Sequence, residues 1–206
     1  AFGRLQILTN LDLIVKRKDR IAIVGANGVG KTTLIKLLIG QQPPDTGTVK
    51  LGSNLKISYF DQARTQINPD LSLWETLTNE PTLVVSGSSD QIMVRGTPKH
   101  VVGYLKDFLF AEEQMRAPIK TLSGGEKARL ILARLMAKES NLLILDEPTN
   151  DFDIETLDLL QDILADYEGT VLMVSHDRDF LDRVATSTIV LEGNGVVDVY
   201  AGGWTD

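Results

Sequence analysis

Residues 25–32 read GANGVGKT, and this spacing of glycines before Lys31 and Thr32 is that of a phosphate-binding loop. The apolar run RIAIVG precedes the loop and the helical pattern TTLIKLLIG follows it, which is the strand and helix context that the motif requires. In such a loop, backbone N–H groups bind phosphate oxygens, the lysine reaches the β- and γ-phosphates, and the threonine hydroxyl binds Mg²⁺. We therefore predict a phosphate site made by Gly25, Asn27, Gly28, Gly30, Lys31, Thr32 and Thr33.

Two adjacent carboxylates, Asp146 and Glu147, follow the apolar run LLIL in the segment LLILDEPT. Ligands bind at the carboxyl ends of strands in open parallel sheets. Two carboxylates at such a strand end are unfavourable without a compensating cation or proton. Asp146 is predicted to bind Mg²⁺ directly or through water, and Glu147 to orient and activate an attacking water. The alternative is that both side chains are simply solvated at the end of a strand.

Two more polar residues are candidates for the same site. His176, in MVSHDRDF, follows the next apolar strand, from which it can donate a hydrogen bond to the γ-phosphate. Gln62, in SYFDQ, follows another strand and is a candidate to contact Mg²⁺ or the attacking water. With Lys31 and Glu147 they make up the predicted catalytic set. His100, in TPKHVV, has no such setting and is interpreted as structural.

A second glycine-rich helix start occurs in TLSGGEKARLILARL, residues 121–135. Ser123 and Glu126 form the S-x-x-E pattern of a capping box, which binds the first N–H groups of a helix. Capping does not explain Gly124 and Gly125, because each glycine is about 1 kcal/mol less favourable than alanine within a helix. Glycines at a helix start allow close approach of the backbone to a ligand, and a helix N-terminus favours an anion.

Strands and helices must hold these residues in place. Apolar runs alternate with helical patterns along the chain, which predicts an α/β fold with a mainly parallel sheet. Strands are predicted at 11–15, 20–25, 47–52, 55–60, 142–145, 170–175, 187–192 and 195–200, and helices at 32–40, 71–80, 99–110, 126–138, 154–167 and 177–185. The segment QIMVRGTPKHV predicts a hairpin around Arg95–Gly96. We predict one domain, residues 1–206, with a small helical and irregular lobe at about 63–140.

Composition narrows the class of protein further. With 43% apolar and 24% charged residues the chain is typical of a globular domain, and it has no apolar run near the roughly 20 residues of a membrane span. The net charge of -7 argues against tight nucleic-acid binding by this chain alone. No signal-peptide pattern and no cysteine occur, which predicts a cytoplasmic protein. Since the sequence begins without Met, we expect it to be a piece of a longer chain.

The motifs GANGVGKTT, Gln62, LSGGE, LLILDEPT and SHD, in this order, resemble the nucleotide-binding domain of the ATP-binding cassette superfamily. The resemblance covers essentially the whole chain. It implies a P-loop NTPase fold that includes an antiparallel β subdomain and that binds and hydrolyses ATP with Mg²⁺. It also implies that Phe2, 23 positions before Gly25, stacks on adenine.

In that family two cassettes pair head to tail. The resemblance therefore implies that Ser123, Gly124 and Gly125 contact the γ-phosphate of an ATP molecule held by the partner cassette. This would give the glycines of the second helix start a role outside their own chain.

Finer features resemble the soluble F subfamily, whose members carry two tandem cassettes and no membrane domain. These features are LDEPTNDFD, SHDRDFLD, a short middle lobe and Glu126 where transporter cassettes usually have Gln. Phe152 stands where Leu is commoner, a conservative departure. The subfamily implies a second cassette as partner, in tandem or as a second copy, and a longer protein that acts on ribosomes, with a possible DNA-related role. Because this chain lacks a basic linker and a coiled coil, nucleic-acid contacts are not expected from it alone.

Three other functions share parts of this pattern. The ATP-binding subunit of a membrane transporter uses the same chemistry with a membrane partner. A chromosome or repair ATPase normally has a long coiled coil between the phosphate loop and LSGG, and no such heptad run occurs here. A module that uses ATP only as a clamp does not need a catalytic base, so Glu147 argues against it.

Overall fold

The computed structural model describes residues 7–61, 67–149 and 152–203. The strands are β1 Arg20–Gly25, β2 Ile57–Asp61, β3 Gln91–Val94, β4 Thr97–His100, β5 Leu142–Asp146, β6 Thr170–Val174, β7 Ser187–Gly193 and β8 Val196–Ala201. The α-helices are α1 Lys31–Leu38, α2 Leu73–Thr78, α3 Val101–Asp107, α4 Gly124–Ala137, α5 Ile154–Asp166 and α6 Arg178–Val184. Two short 3-10 helices, Glu112–Gln114 and Ile119–Thr121, precede α4.

A six-stranded sheet forms the centre of the fold, in the order β2, β5, β6, β1, β7, β8. Neighbouring strands are parallel except for β7 and β8, which are antiparallel. The middle strands β5 and β6 are buried along nearly their whole length, as parallel strands between two layers of helices must be. The predicted α/β fold with a mainly parallel sheet is confirmed.

The two faces of the sheet pack against different helices. Ile21 and Ile23 of β1 belong to the apolar cluster that includes α1. Ala22 and Val24, which alternate with them, belong to the larger cluster that includes α4, α5 and α6. Because strand residues point alternately to opposite faces, this alternation places α1 on one side of the sheet and the other three helices on the opposite side. The carboxyl ends of β1, β5 and β6 then lie level at one edge, where Val174 pairs with Ile23 and with Asp146.

The predicted hairpin around Arg95–Gly96 is confirmed, as β3 and β4 pair with Val94 opposite Thr97. Arg95 and Gly96 have φ values of 47° and 81°. Two consecutive residues with positive φ form the tight turn that matches the twist of a two-stranded ribbon. The Arg95 backbone N–H donates to the Ala137 carbonyl at 2.8 Å, and its Nε donates to the Met136 carbonyl at 3.2 Å. The hairpin thereby binds the last carbonyls of α4, which fixes β3 and β4 to that helix.

A nearly buried ion pair network joins the end of α2 to α4. The Glu80 carboxylate is 9% exposed and lies 2.6 Å from Arg134 Nε and 3.2 Å from Lys138 Nζ. Glu80 follows α2, while both cations lie at the end of α4. A carboxylate so little exposed requires such partners to offset the loss of water. The network fixes the position of α2 against the helix that begins at Gly124.

Several predicted boundaries differ from the structure. The predicted strands at 11–15 and 47–52 are wrong, since both segments lie outside the strands of the described residues. Leu11 and Leu13, which alternate in the first segment, pack against the cluster that includes α1, whereas Leu51 in the second is 48% exposed. Alternation indicates an extended chain but supplies no partner strand, and a strand exists only through its ladder of hydrogen bonds. The predicted helix at 99–110 begins later because His100 ends β4 and caps α3, with Nδ1 accepting from the Val102 N–H at 3.3 Å.

Candidate functional site

The phosphate loop joins the end of β1 to the start of α1, as the sequence predicts. Gly25 has φ 154°, and a Cβ atom there would lie 2.6 Å from the Leu191 carbonyl oxygen. Gly30 has φ 114°, and its Cβ atom would lie 2.2 Å from Ile7 Cγ2. Both positions therefore exclude a side chain, and Gly30 in addition has the left-handed backbone that glycine favours. The closed packing around the two glycines fixes the path of the loop.

The first turn of α1 presents N–H groups to the loop. Gly30 is the N-cap of α1, and no side chain of the described residues caps this helix. Thr32 and Thr33 lie in that first turn, while Asn27 and Gly28 lie in the turn before it. Uncapped N–H groups at a helix start, with the positive end of the helix dipole, are a binding site for phosphate oxygens.

The Lys31 ammonium lies over the loop. Its Nζ donates to the carbonyl oxygens of Gly25 at 2.8 Å and Ala26 at 3.2 Å. These bonds hold the positive charge beside the N–H groups of the loop, so that the charge and the donors act on one anion. The predicted position of Lys31 at the phosphate site agrees with this arrangement.

Asp146 ends β5 on the side of the sheet that α1 covers. Its Oδ2 atom accepts a hydrogen bond from the Tyr59 hydroxyl at 2.8 Å. The sequence predicts Asp146 as a magnesium ligand but does not predict its contact with Tyr59. No motif marks a tyrosine two residues before the end of a strand, and the contact depends on β2 being the neighbour of β5 in the sheet.

Glu147 turns away from the strand that precedes it. Its φ is 50°, and its N–H donates to the Val174 carbonyl at 2.8 Å. This left-handed backbone is uncommon for a residue with a side chain, and such strain concentrates at functional sites. The Oε1 atom lies 3.2 Å from His176 Nε2. The Oε2 atom is buried and has no hydrogen-bond partner among the described residues.

His176 connects the loops that follow three strands of the sheet. Its Nε2 lies 3.1 Å from Asn27 Oδ1 in the phosphate loop and 3.2 Å from Glu147 Oε1 after β5. The Thr149 and Ser175 hydroxyls, 3.0 Å apart, also join the loop after β5 to the loop after β6, which carries His176. The structure thus brings Glu147 and His176 together as the sequence predicts, and it adds a contact with Asn27 that motif spacing alone does not indicate.

Burial raises the pKa of the Glu147 carboxyl, and the neighbouring Asp146 charge acts in the same direction. Electrostatic interactions with His176 and Lys31 oppose this rise. A base whose pKa lies above that of a free carboxyl binds a proton from water more readily, which suits general base catalysis. The environment of Glu147 is therefore partly desolvated and differs from that of a fully solvated carboxylate.

The raised pKa of Glu147 has a consequence for stability. A carboxyl with a higher pKa in the folded chain than in the unfolded chain favours folding while neutral, and this contribution is lost as pH rises through the folded pKa. Glu147→Gln is therefore expected to raise the melting temperature at neutral pH, with a smaller gain at acidic pH, where the wild-type carboxyl is neutral. Thermal unfolding at both pH values tests this, with the exposed Glu168→Gln as control. An unchanged or lower melting temperature at neutral pH would contradict it.

The residues present fit Mg²⁺. Asp146 supplies a carboxylate and Thr32 a hydroxyl, both on the α1 side of the sheet. Among the described residues, no group of three or more His, Cys, Asp or Glu could hold a metal ion. Mg²⁺ does not require such a group, because it usually binds one or two carboxylates together with phosphate oxygens and water. The uncompensated buried oxygen of Glu147 also favours a nearby cation or water.

The second glycine-rich helix start forms the capping box that the sequence predicts. Ser123 Oγ accepts from the Glu126 N–H at 3.2 Å, and Glu126 Oε2 accepts from the Ser123 N–H at 2.8 Å. Ser123 and Gly124 are exposed, and a Cβ atom on Gly124 would meet nothing within 4 Å. Gly125 follows in the first turn of α4. No hydrogen bond of the described residues joins this helix start to the phosphate loop, and none of these residues fills the open space at Gly124.

Two predicted site residues lie outside the described residues: Phe2, expected to stack on adenine, and Gln62, expected to contact Mg²⁺ or the attacking water. Both remain predictions. Gln62 directly follows β2, whose last residue Asp61 pairs in register with Asp146.

Comparisons with known proteins agree with this geometry. Residues 8–150 match the family model described as ABC transporter. The chain therefore belongs to the ABC transporter family, of which it is an ATP-binding cassette ATPase domain.

Among the relatives, the ATP-binding protein Uup of Caulobacter vibrioides is 54% identical over 205 residues, which cover 100% of this chain and 33% of that protein. The energy-dependent translational throttle protein EttA of Mycobacterium tuberculosis is 41% identical over 188 residues, 91% of this chain and 32% of that protein. These relatives confirm the resemblance to the F subfamily. The chain spans about a third of the length of these curated relatives.

The fold is also that of a solved cassette. The dimeric post-hydrolysis state of an ATP-binding cassette bound to ADP and Pi superposes with a TM-score of 0.69 at 23% identity, covering 95% of this chain and 90% of that chain. At this identity the likeness shows the fold alone. Within the part of the chain that the structure describes, every helix is too short or too polar to cross a membrane.

Proposed function

We propose that this chain binds ATP with Mg²⁺ on the loop of residues 25–33 and hydrolyses it when a second cassette completes the site. The observation that carries the proposal is the meeting of three side chains at His176 Nε2, which lies 3.1 Å from Asn27 Oδ1 and 3.2 Å from Glu147 Oε1. A carboxylate base and an imidazole placed against a phosphate loop are what the attack of water on a γ-phosphate requires.

The phosphates are held by the N–H groups at the start of α1 and by the Lys31 ammonium. Thr32 and Asp146 are the residues that would hold Mg²⁺, and Gln62 is a third candidate. The ion, when bound, neutralises the charge that develops on the β- and γ-phosphate oxygens. Adenine is proposed to stack on Phe2. The remaining chemistry requires positioning and charge stabilisation more than new covalent bonds.

Glu147 is proposed to orient the attacking water and accept its proton. His176 Nε2 lies 3.2 Å from Glu147 Oε1, a contact that can hold the carboxylate in place for this role. His176 is proposed to donate from Nε2 to the γ-phosphate, since this atom already lies beside Asn27 of the phosphate loop. Such a bond would make the position of His176, and with it that of Glu147, depend on whether the γ-phosphate is present.

The second cassette is proposed to supply a helix start like that at Ser123, Gly124 and Gly125. The exposure of Ser123 and Gly124 supports this, as does the open space that a Cβ atom on Gly124 would meet among the described residues. The solved cassette described above is dimeric, which supports the proposal that this chain pairs with a second cassette. We further propose that residues 1–206 form one domain, with a lobe at about 63–140 that carries this helix start.

In the longer protein we propose a tandem-cassette ATPase of the F subfamily, with this chain as the second cassette of a protein like Uup. A role at the ribosome is supported by the name of one relative, a translational throttle protein. A DNA-related role would require other parts of the protein, because this chain has a net charge of -7. Cosedimentation of the longer protein with ribosomes, using Glu147→Gln and ATP, tests this role.

Nucleotide binding is tested with Lys31→Ala and a fluorescent ATP analogue. The affinity is expected to fall by about tenfold to a hundredfold, since a charge-assisted hydrogen bond contributes about 1.5–3 kcal/mol. Lys36→Ala removes the same charge five residues later in the same helix and is the matched control. Equal affinities of the two variants would contradict the phosphate site.

A further inference from the structure

Tyr59 brings a phenol hydroxyl to the side of the site where Asp146 lies. The strands β2 and β5 are parallel neighbours, with Tyr59 opposite Ile144 and Asp61 opposite Asp146. Tyr59 is thus two residues short of the strand end, and its long side chain reaches forward along the sheet. Its hydroxyl donates to Asp146 Oδ2 at 2.8 Å.

The contact lies on the face of the sheet that α1 covers. Tyr59 packs against the apolar cluster that contains Ile144 and the α1 residues Leu34 and Ile35. Because side chains alternate along a strand, Asp146 projects to the same face as Ile144. Thr32 lies at the start of α1, so the proposed magnesium ligands and the tyrosine hydroxyl share one side of the sheet.

The hydrogen bond between Tyr59 and Asp146 has a definite donor and acceptor. An ionised carboxylate can only accept, so the hydroxyl donates its proton in a charge-assisted bond. This bond occupies Oδ2 and leaves Oδ1 for a metal ion. The tyrosine ring is held by its packing, so it can fix the carboxylate in one rotamer. Partners of this kind orient metal-binding carboxylates, and their loss typically lowers metal affinity by about tenfold to a hundredfold.

We infer that Tyr59 is a positioning residue for Mg²⁺, which it serves by orienting the Asp146 carboxylate. The inference rests on the proposed function, since it assumes that Asp146 binds the metal of an ATP complex. It adds a residue that belongs to none of the motifs in the sequence, and it makes β2, the strand that leads to Gln62, part of the support of the metal site.

The test compares Tyr59→Phe with Tyr104→Phe in the full chain. Each variant loses one hydroxyl, but that of Tyr104 donates to the Ala133 carbonyl at 2.7 Å within the lobe. A fluorescent ADP analogue is bound first without metal and then during a titration with MgCl₂. Tyr59→Phe is expected to need about ten times more Mg²⁺ for half of the gain in affinity, with metal-free binding unchanged. Tyr104→Phe is expected to match the wild type in both its metal-free affinity and its Mg²⁺ requirement.

A second readout is the electron paramagnetic resonance spectrum of Mn²⁺ bound with ADP, which reports the metal ligands directly. Tyr59→Phe is expected to broaden it, and Tyr59→Met, which also fills the space without a hydroxyl, is expected to do the same. In the Asp146→Asn background, Tyr59→Phe should no longer change the Mg²⁺ concentration needed for half of the gain in affinity, because the carboxylate through which Tyr59 acts is gone.

An unchanged Mg²⁺ midpoint in Tyr59→Phe, with intact metal-free binding, would overturn the inference and leave the proposed function standing. A persistent shift in the Asp146→Asn background would overturn it as well, since Tyr59 would then act by another route. If Mg²⁺ gives the wild type no gain in nucleotide affinity, the proposed function itself fails, and the inference fails with it.

Discussion

Glu147→Gln is expected to lower ATP turnover by at least about a hundredfold while nucleotide binding is retained. General base catalysis contributes about 10²–10⁴ in rate, and an amide cannot accept the proton of the attacking water. The amide keeps the shape of the side chain and an oxygen that can accept from His176, which lies 3.2 Å from Oε1. Steady-state phosphate release and the affinity for a fluorescent ATP analogue are the two measurements.

The matched control for this substitution is Glu168→Gln, which removes one exposed carboxylate without touching the site. Its turnover is expected to equal that of the wild type. Retention of more than a tenth of wild-type turnover by Glu147→Gln would exclude the role of base. Loss of nucleotide binding would instead show that the carboxylate serves mainly to hold the loops together.

Gly124→Asp is expected to abolish hydrolysis by paired cassettes without harming the fold or ATP binding. The Cβ atom meets nothing within 4 Å, and a carboxylate at the start of α4 suits the helix dipole. Against the γ-phosphate of a partner, however, a negative charge about 4 Å away opposes pairing by about 4 kcal/mol at an effective dielectric constant of 20. This corresponds to a loss of about a thousandfold in the population of the paired state.

Thermal unfolding, nucleotide affinity and turnover of Gly124→Asp are to be compared with those of Gly103→Asp. Gly103 is also an exposed helical glycine with open space at its Cβ position, but it lies in α3. Only the Gly124 variant should lose turnover. Full turnover in both variants would show that Gly124 does not act on a second cassette. If only Gly124→Asp lost much stability, its role would be structural and confined to its own chain.

The parts of the site that could be predicted from the sequence are those whose contacts lie close along the chain. The path of the phosphate loop depends on glycines a few residues apart, and the capping box joins Ser123 to Glu126. The hairpin at Arg95 also follows from neighbouring residues. Asp146 and His176 could be placed because parallel apolar strands must end at the same edge of a sheet.

The parts that could not be predicted depend on distant neighbours. The tyrosine that holds Asp146 is found only when β2 is known to lie beside β5, and chain order does not show this. The contact of Asn27 with His176 spans 149 positions. Segment 11–15 has the alternation of a strand, but alternation contains no information about which backbone would pair with it. In each case the sequence does not show which distant segment of the chain lies beside the residue in question.

The central claim is that a second cassette completes the ATPase site, and turnover per chain as a function of chain concentration tests it most directly. We expect turnover per chain to rise with concentration and to level off as pairs form, while ATP affinity at high dilution remains measurable. Gly124→Asp should remain at the dilute value throughout. Turnover per chain that stays constant from high dilution upward, at the rate of the concentrated wild type, would contradict the account.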